Sequence, residues 1–208
     1  MLQQKIGLDI WDREAEMYLE YQKQLIDRIE HTKFLKEGSN SDLGYEEGMR
    51  ELVSMFSVIK KKEHQVFFVG NGGSSAIASH MTADFMKNGG MRTYNLYDNA
   101  VTTCMGNDYG YEYIFSKPLE LLLNEGDLLI AISSSGNSHN IINAIEVAKN
   151  KKAQVITFTG FKENNKAKQL GGFNVYVPIE HYGIVESIHN LLLQQVVDVI
   201  LERDGVRL

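Results

Sequence analysis

From Trp11 to about Leu35 the apolar residues Trp11, Tyr18, Tyr21, Leu25 and Ile29 recur at helical spacing, which predicts one long amphipathic helix. A second helix is predicted from Tyr45 to Lys61, after the turn-rich stretch GSNSDLG. The pattern then changes character. Four short apolar runs, QVFFVG, TYNLY, DLLIAIS and AQVITFTG, and a weaker fifth, FNVYVP, read as strands. Most are separated by helix-length segments: SSAIASHMTADFMKN, YIFSKPLELLLNE, HNIINAIEVAKNK and ENNKAKQLG. Alternation of this kind predicts an α/β fold with a parallel sheet, right-handed crossovers and helices on both faces. A closing helix runs from about Ile184 to Arg203. No repeat, linker or low-complexity segment interrupts the chain, so residues 1–208 read as one domain, with a helical part over 1–62 and an α/β core over 63–208. The N-terminal helical pair either covers the sheet or builds a subunit interface, and Trp11 with its stripe reads as core or interface.

Composition narrows the function classes. The chain has 208 residues, 43% of them hydrophobic, and only 2 prolines, which suits a soluble domain with a sizeable core. No apolar run reaches the roughly 18 residues of a membrane span, and the start, MLQQKIGLDIWDREAE, has no signal-like segment, so a cytoplasmic protein without membrane partners is expected. The formal charge is -6 and the largest basic cluster is Lys60, Lys61 and Lys62, which argues against nucleic acid. The single cysteine, Cys104, has no disulfide partner and reads as a small core residue.

Two predicted strands end in unusual loops, GNGGSS at Gly70 to Ser75 and SSSGNS at Ser133 to Ser138, and each leads into a helix. In open parallel sheets ligands bind beyond the carboxyl ends of the strands. Glycines let the backbone approach an anion, serine hydroxyls donate hydrogen bonds, and each helix start aims its amides at the same space. Either loop alone could be a flexible turn or a helix cap; together they point to a phosphorylated ligand. His80 and Asp84 follow four residues apart, so both project from one face of the helix.

With VGNGGSSAIASH, MGNDYGYEYIFSKPLE, EGDLLIAISSSGNSHNIINAIEVAK and VITFTG in this order, the sequence resembles the sugar isomerase (SIS) domain family, and within it the phosphoheptose isomerase group. The resemblance implies a three-layer α/β sandwich built on a five-stranded parallel sheet, assembled into a homotetramer with active sites between subunits. It implies that Asn71, Gly72, Gly73 and Ser74, the pair Asn107 and Asp108, and the serines Ser133, Ser134, Ser135 and Ser138 bind a phosphosugar. The serine loop would take the phosphate and the others the sugar. The implied reaction is a ketose-to-aldose isomerisation, sedoheptulose 7-phosphate to D-glycero-D-manno-heptose 7-phosphate, feeding heptose synthesis for lipopolysaccharide or capsule. No nucleotide cofactor is implied. A zinc ion is present in several members and would polarise the substrate oxygens.

The chemical residues depart from the family pattern. Asp84 stands where the family usually has glutamate, which keeps a carboxylate able to act as base or metal ligand but shortens its reach. On the last helix Glu186 and Gln194 stand where the family has glutamine and histidine. Eight residues turn the helix to within about 80° of the start, so the two can share a face. Gln194 cannot titrate and is a poor metal ligand, so Glu186 is the expected partner of Asp84. His80, Asp84, Glu186 and Gln194 are the expected set for zinc or another divalent ion. His189 lies about 140° from Gln194 around the helix and is a weak substitute, while His181 is freer. His139 and Asn140 read as capping or solvent-facing residues, and Tyr109, Tyr111 and Tyr113 as packing. The competing reading is a SIS fold that senses a phosphosugar or binds a protein without turnover.

Overall fold

The computed structural model describes residues 2–39 and 41–205, with side chains described from Arg13 onward. The side chain of Trp11 lies outside the described residues. The first helix, α1 (Leu2–Glu30), is followed by a short strand, β1 (Lys33–Lys36), and then by α2 (Tyr45–Lys61). The core continues as β2 (Gln65–Gly70), α3 (Gly73–Lys87), β3 (Arg92–Asn95) and α4 (Asn99–Tyr109). A 3-10 turn at Tyr111–Tyr113 precedes α5 (Ser116–Leu122), β4 (Leu128–Ser133), α6 (His139–Asn150) and β5 (Gln154–Thr159). The chain closes with α7 (Lys166–Leu170), β6 (Phe173–Tyr176) and α8 (Tyr182–Arg203).

Among the described residues the sheet has six strands, not five, in the order β1-β6-β5-β4-β2-β3. The added strand is β1, which pairs antiparallel with β6 at the edge, while every other pairing is parallel. The helix expected from Trp11 to about Leu35 ends earlier, and a strand occupies Lys33–Lys36. Phe34 and Leu35 fall off the stripe of Tyr18, Tyr21, Leu25 and Ile29, α1 stops at Glu30, and Thr32 turns its hydroxyl back to the Arg28 carbonyl at 2.8 Å. Phe34 then packs so closely on α2 that a side chain at Gly48 would overlap its ring. Tertiary packing, which a local pattern does not contain, decides the segment in favour of a strand.

The parallel strands are apolar throughout because both of their faces are covered. Along β2, Val66 and Phe68 face the cluster made with α2, α3 and α8, while Phe67 and Val69 face the cluster made with α5 and α6. Three layers result, with α8 deepest on one side. Among the described residues α8 alone is long and apolar enough to cross a membrane, and its Ile188, Leu192, Val196 and Ile200 are in the core.

The strand order places the site. From β2 the chain goes by α3 to β3 on one side, and later enters β4 on the other. The crevice at the carboxyl ends of β2 and β4 is therefore the switch point of the sheet, the place where such folds bind ligands. Gly70 is in register with Ile132, one residue from the end of β4, so the two loops singled out in the sequence leave the sheet side by side.

Candidate active site

The glycine loop is shaped by two requirements. Gly72 takes a positive φ of 55°, which suits glycine, and lets the chain turn from β2 straight into α3. Gly73, the first residue of α3, lies against the Glu186 carboxylate so closely that a Cβ there would overlap it. Glu186 is thus brought by α8 to the mouth of the glycine loop. Burial pushes its carboxyl pKa upward. A Gly73→Ala protein is expected to fold normally, since the flexible end of Glu186 can yield. Its kcat/KM should fall about a hundredfold because the carboxylate is displaced, as steady-state kinetics beside a thermal melt would show.

Asn71 is the node of the site. Its amide nitrogen donates to Asn140 Oδ1 at 2.9 Å, and Asn140 Nδ2 donates back to Asn71 Oδ1 at 2.9 Å. The Tyr111 hydroxyl donates to the same Asn71 oxygen at 3.0 Å. Asn140, 2% exposed, is neither a cap nor solvent-facing as expected, because its amide is needed to clasp the two loops together. Tyr109, Tyr111 and Tyr113 are exposed rather than packed, and Tyr111 works through its hydroxyl. The sequence signal was the spacing of Asn140 beyond the serine loop, which places it on the inner side of the first turn of α6.

In the serine loop, Gly136 N donates to the Ser133 carbonyl at 2.9 Å and to the Ser133 hydroxyl at 3.2 Å, closing a tight turn. Gly136 has φ 65° and no room for a Cβ against Asn165. Ser134 is 4% exposed and its hydroxyl has no partner among the described residues. A buried hydroxyl in an anion-binding loop needs a partner, and a phosphate oxygen supplies one. Ser135 and Ser138 line the rest of the turn, partly exposed, with Ser138 at the N-cap position of α6. Ser74 is buried, and its amide closes onto the Asn71 carbonyl at 3.0 Å.

The other residues form a second tier. His80 Nε2 lies 3.2 Å from Asp84 Oδ2, with side-chain exposures of 55% and 22%. They sit about 10 and 16 Å along α3 from Gly73. Both α3 and α8 start from the carboxyl edge of the sheet and pack against each other. Gln194, about 12 Å beyond Glu186, donates its amide to Asp198 Oδ1 at 3.0 Å. Asn107 and Asp108 sit in the exposed last turn of α4, where Asn107 Nδ2 bonds Asp108 Oδ1 at 2.8 Å. Their segment reaches the loops through Tyr111. Cys104, expected in the core, is exposed on α4, which packs too loosely to bury any of its residues, and its thiol lies 3.6 Å from Asp108 Oδ2. His181 caps α8, with Nδ1 accepting from Ile184 N at 3.3 Å.

This constellation can be set beside known proteins. The SIS domain family matches residues 44–160. The phosphoheptose isomerase of Edwardsiella ictaluri is 34% identical over 153 residues, covering 71% of this chain and 78% of that one. That of Serratia proteamaculans is 33% identical over 169 residues, covering 79% and 83%. This chain belongs to the phosphoheptose isomerase family of SIS-domain proteins. A phosphoheptose isomerase structure from Neisseria gonorrhoeae superposes with a TM-score of 0.68 at 26% identity, over 99% of this chain and 100% of that one. One from Francisella tularensis gives 0.78 at 22% identity, over 92% and 98%, which speaks for the fold.

For a phosphoheptose isomerase family member, the fit of a divalent ion turns on donor geometry. His80 is engaged by Asp84, Glu186 lies at the glycine loop, and Gln194 turns its amide to Asp198. Among the described residues no three His, Cys, Asp or Glu side chains converge. Within one chain these donors do not form a closed zinc site, and the chemistry below is derived from the side chains themselves.

His189, a weak catalytic candidate from its angle, is fully buried on the inner face of α8, where burial holds its pKa down to about 4 against an ordinary 6.5. As pH falls the unfolded chain therefore takes up a proton before the folded one. The stability that neutral His189 supplies is complete above about pH 6.5 and is lost progressively towards pH 4, about 3 kcal/mol in all. Urea midpoints measured across that window should fall, and His189→Gln should flatten the slope.

Proposed function

We propose that the chain isomerises a ketose phosphate to an aldose phosphate, with sedoheptulose 7-phosphate as substrate and D-glycero-D-manno-heptose 7-phosphate as product. The observation that carries this reading is the meeting of a raised-pKa carboxylate, Glu186, with the glycine loop, beside a serine loop whose buried Ser134 hydroxyl has no partner among the described residues. A long sugar with phosphate at one end needs its anion held apart from its reacting carbons, and a carboxylate at the glycine loop with the anion grip at the neighbouring serine loop suits that need.

In the reaction Glu186 takes the proton from C1 while the C2 carbonyl oxygen gains one, giving the enediol. The O1 hydroxyl then loses its proton and C2 receives one from Glu186, leaving a C1 aldehyde. A carboxylate whose pKa is pushed up by burial suits this carbon-to-carbon transfer. His80, held by Asp84, carries the proton between the two oxygens, a task for which imidazole is the usual group. Asp84 thus acts through His80, and Gln194, which cannot titrate, holds Asp198. The backbone and hydroxyls of Ser133, Ser134, Ser135 and Ser138 grip the phosphate. Asn71, Gly72, Gly73, Ser74, Asn107 and Asp108 border the sugar.

The working unit is a homo-oligomer, a tetramer by family resemblance. Exposed Met17, Tyr18, Leu19 and Ile26 on α1 support association, as does the open face of α3 that carries His80. A cytoplasmic location fits the phosphorylated substrate and the exposed, unpaired Cys104. Gln194 in the place of a titratable histidine favours one other reading, a phosphosugar sensor. Incubating the purified protein with sedoheptulose 7-phosphate and following aldoheptose phosphate by proton NMR separates the two, since the sensor binds the sugar without converting it.

A further inference from the structure

Three buried polar atoms without a partner among the described residues lie close to one another in the fold: Ser134 Oγ, just beyond β4, Thr159 Oγ1, at the end of β5, and His189 Nδ1, on the inner face of α8. The contacts among these residues form a continuous path. His189 Nε2 lies 3.1 Å from the Thr159 carbonyl. A carbonyl only accepts, so Nε2 carries the proton and Nδ1 is left as a bare acceptor. The next residue, Gly160, donates its amide to the Ser134 carbonyl at 2.9 Å. A Cβ on Gly160 would stand 2.8 Å from the Val185 methyls and 3.3 Å from that same carbonyl, so α8, β5 and the serine loop meet there with no slack. Val185 is one helical turn before His189, and Glu186 is its neighbour.

We propose that His189 is a positioning residue for the phosphate grip: its hydrogen bond to Thr159 fixes the end of β5, Gly160 passes that constraint to Ser134, and α8 holds Glu186 in the same frame. The inference rests on the phosphosugar reading of the serine loop. Phe158 meets the imidazole edge to face, with centroids 5.6 Å apart, so packing is the rival explanation for a buried histidine here. Packing alone would be satisfied by an apolar side chain of similar size. It would leave the Thr159 carbonyl with the Val177 amide, at 2.9 Å, as its remaining donor, and would remove the polar tie between α8 and the end of β5 that precedes the Gly160–Ser134 bond.

The test compares His189→Leu with His189→Gln, whose amide can replace the Nε2 donor. Inorganic phosphate serves as competitive inhibitor and circular dichroism as the check on folding. In His189→Leu the phosphate inhibition constant and KM are expected to rise together by about tenfold, with kcat changed by less than about threefold, while His189→Gln stays within about threefold of the wild type. A folded His189→Leu protein with wild-type phosphate inhibition would overturn the proposal. Should His189→Leu not fold, the imidazole of the wild type decides. Its nitrogen-15 resonances, assigned by their loss in His189→Gln, should report the Nε2–H tautomer and shift saturably as phosphate is added. No shift at saturating phosphate would count against the proposal. Failure of the wild type to bind either inorganic phosphate or the sugar phosphate would remove the phosphosugar reading as well.

Discussion

Glu186→Gln is expected to lower kcat by about two to four orders of magnitude, the usual contribution of a general acid–base, with KM for the sugar phosphate nearly unchanged. The amide keeps the shape of the group against Gly73 but cannot accept the C1 proton. The same change should slightly raise thermal stability at neutral pH. Burial raises the Glu186 pKa, so the folded state holds its proton more tightly than the unfolded chain does, and ionisation weighs against folding above the ordinary glutamate range. The gain from glutamine is therefore present at neutral pH and vanishes as the pH falls below that range. Melting curves at pH 7 and pH 4 read this sign, and a loss of activity accompanied by a fall in stability at pH 7 would point to a structural role instead.

Asp84→Asn is expected to cost about two to four orders of magnitude in kcat while sparing phosphate inhibition. The carboxylate lies 3.2 Å from His80 Nε2 and is the group that orients the ring. An asparagine can present its amide nitrogen to that atom and so favour the wrong tautomer or rotamer. With Asp84 well along α3 from the glycine loop, no effect on the grip is expected. Steady-state kinetics with inorganic phosphate as inhibitor separates the two effects. Full activity in Asp84→Asn would remove the second tier from the mechanism and leave Glu186 to act with water.

Much of this was legible in the chain because the parallel strands are covered on both faces and their runs are nearly all apolar. QVFFVG and DLLIAIS could hardly be anything else, and the loops that follow them are the site. The short edge strand at Lys33–Lys36 escaped because it has only four residues and its identity depends on β6, far away in the sequence. Helix α4 escaped because none of its residues is buried, so no amphipathic pattern exists to be read. Within the site, the four-residue spacing of His80 and Asp84 announced their contact. The contact of Glu186 with Gly73 joins residues over a hundred positions apart, and the clasp of Asn71 with Asn140 joins the glycine loop to the first turn of α6. Neither leaves a local signature, since the first depends on how α8 packs against α3 and the second on the neighbouring ends of β2 and β4.

Proton transfer at C1 and C2 through an enediol is the central step, and the wild-type protein can be made to report it in deuterium oxide. Sedoheptulose 7-phosphate followed by proton NMR in that solvent should be converted to aldoheptose phosphate with deuterium entering at C2. The substrate recovered before equilibrium should carry it at C1. Saturable binding of the sugar phosphate with neither conversion nor deuterium in any carbon-bound position would contradict the isomerase and leave a sensor in its place.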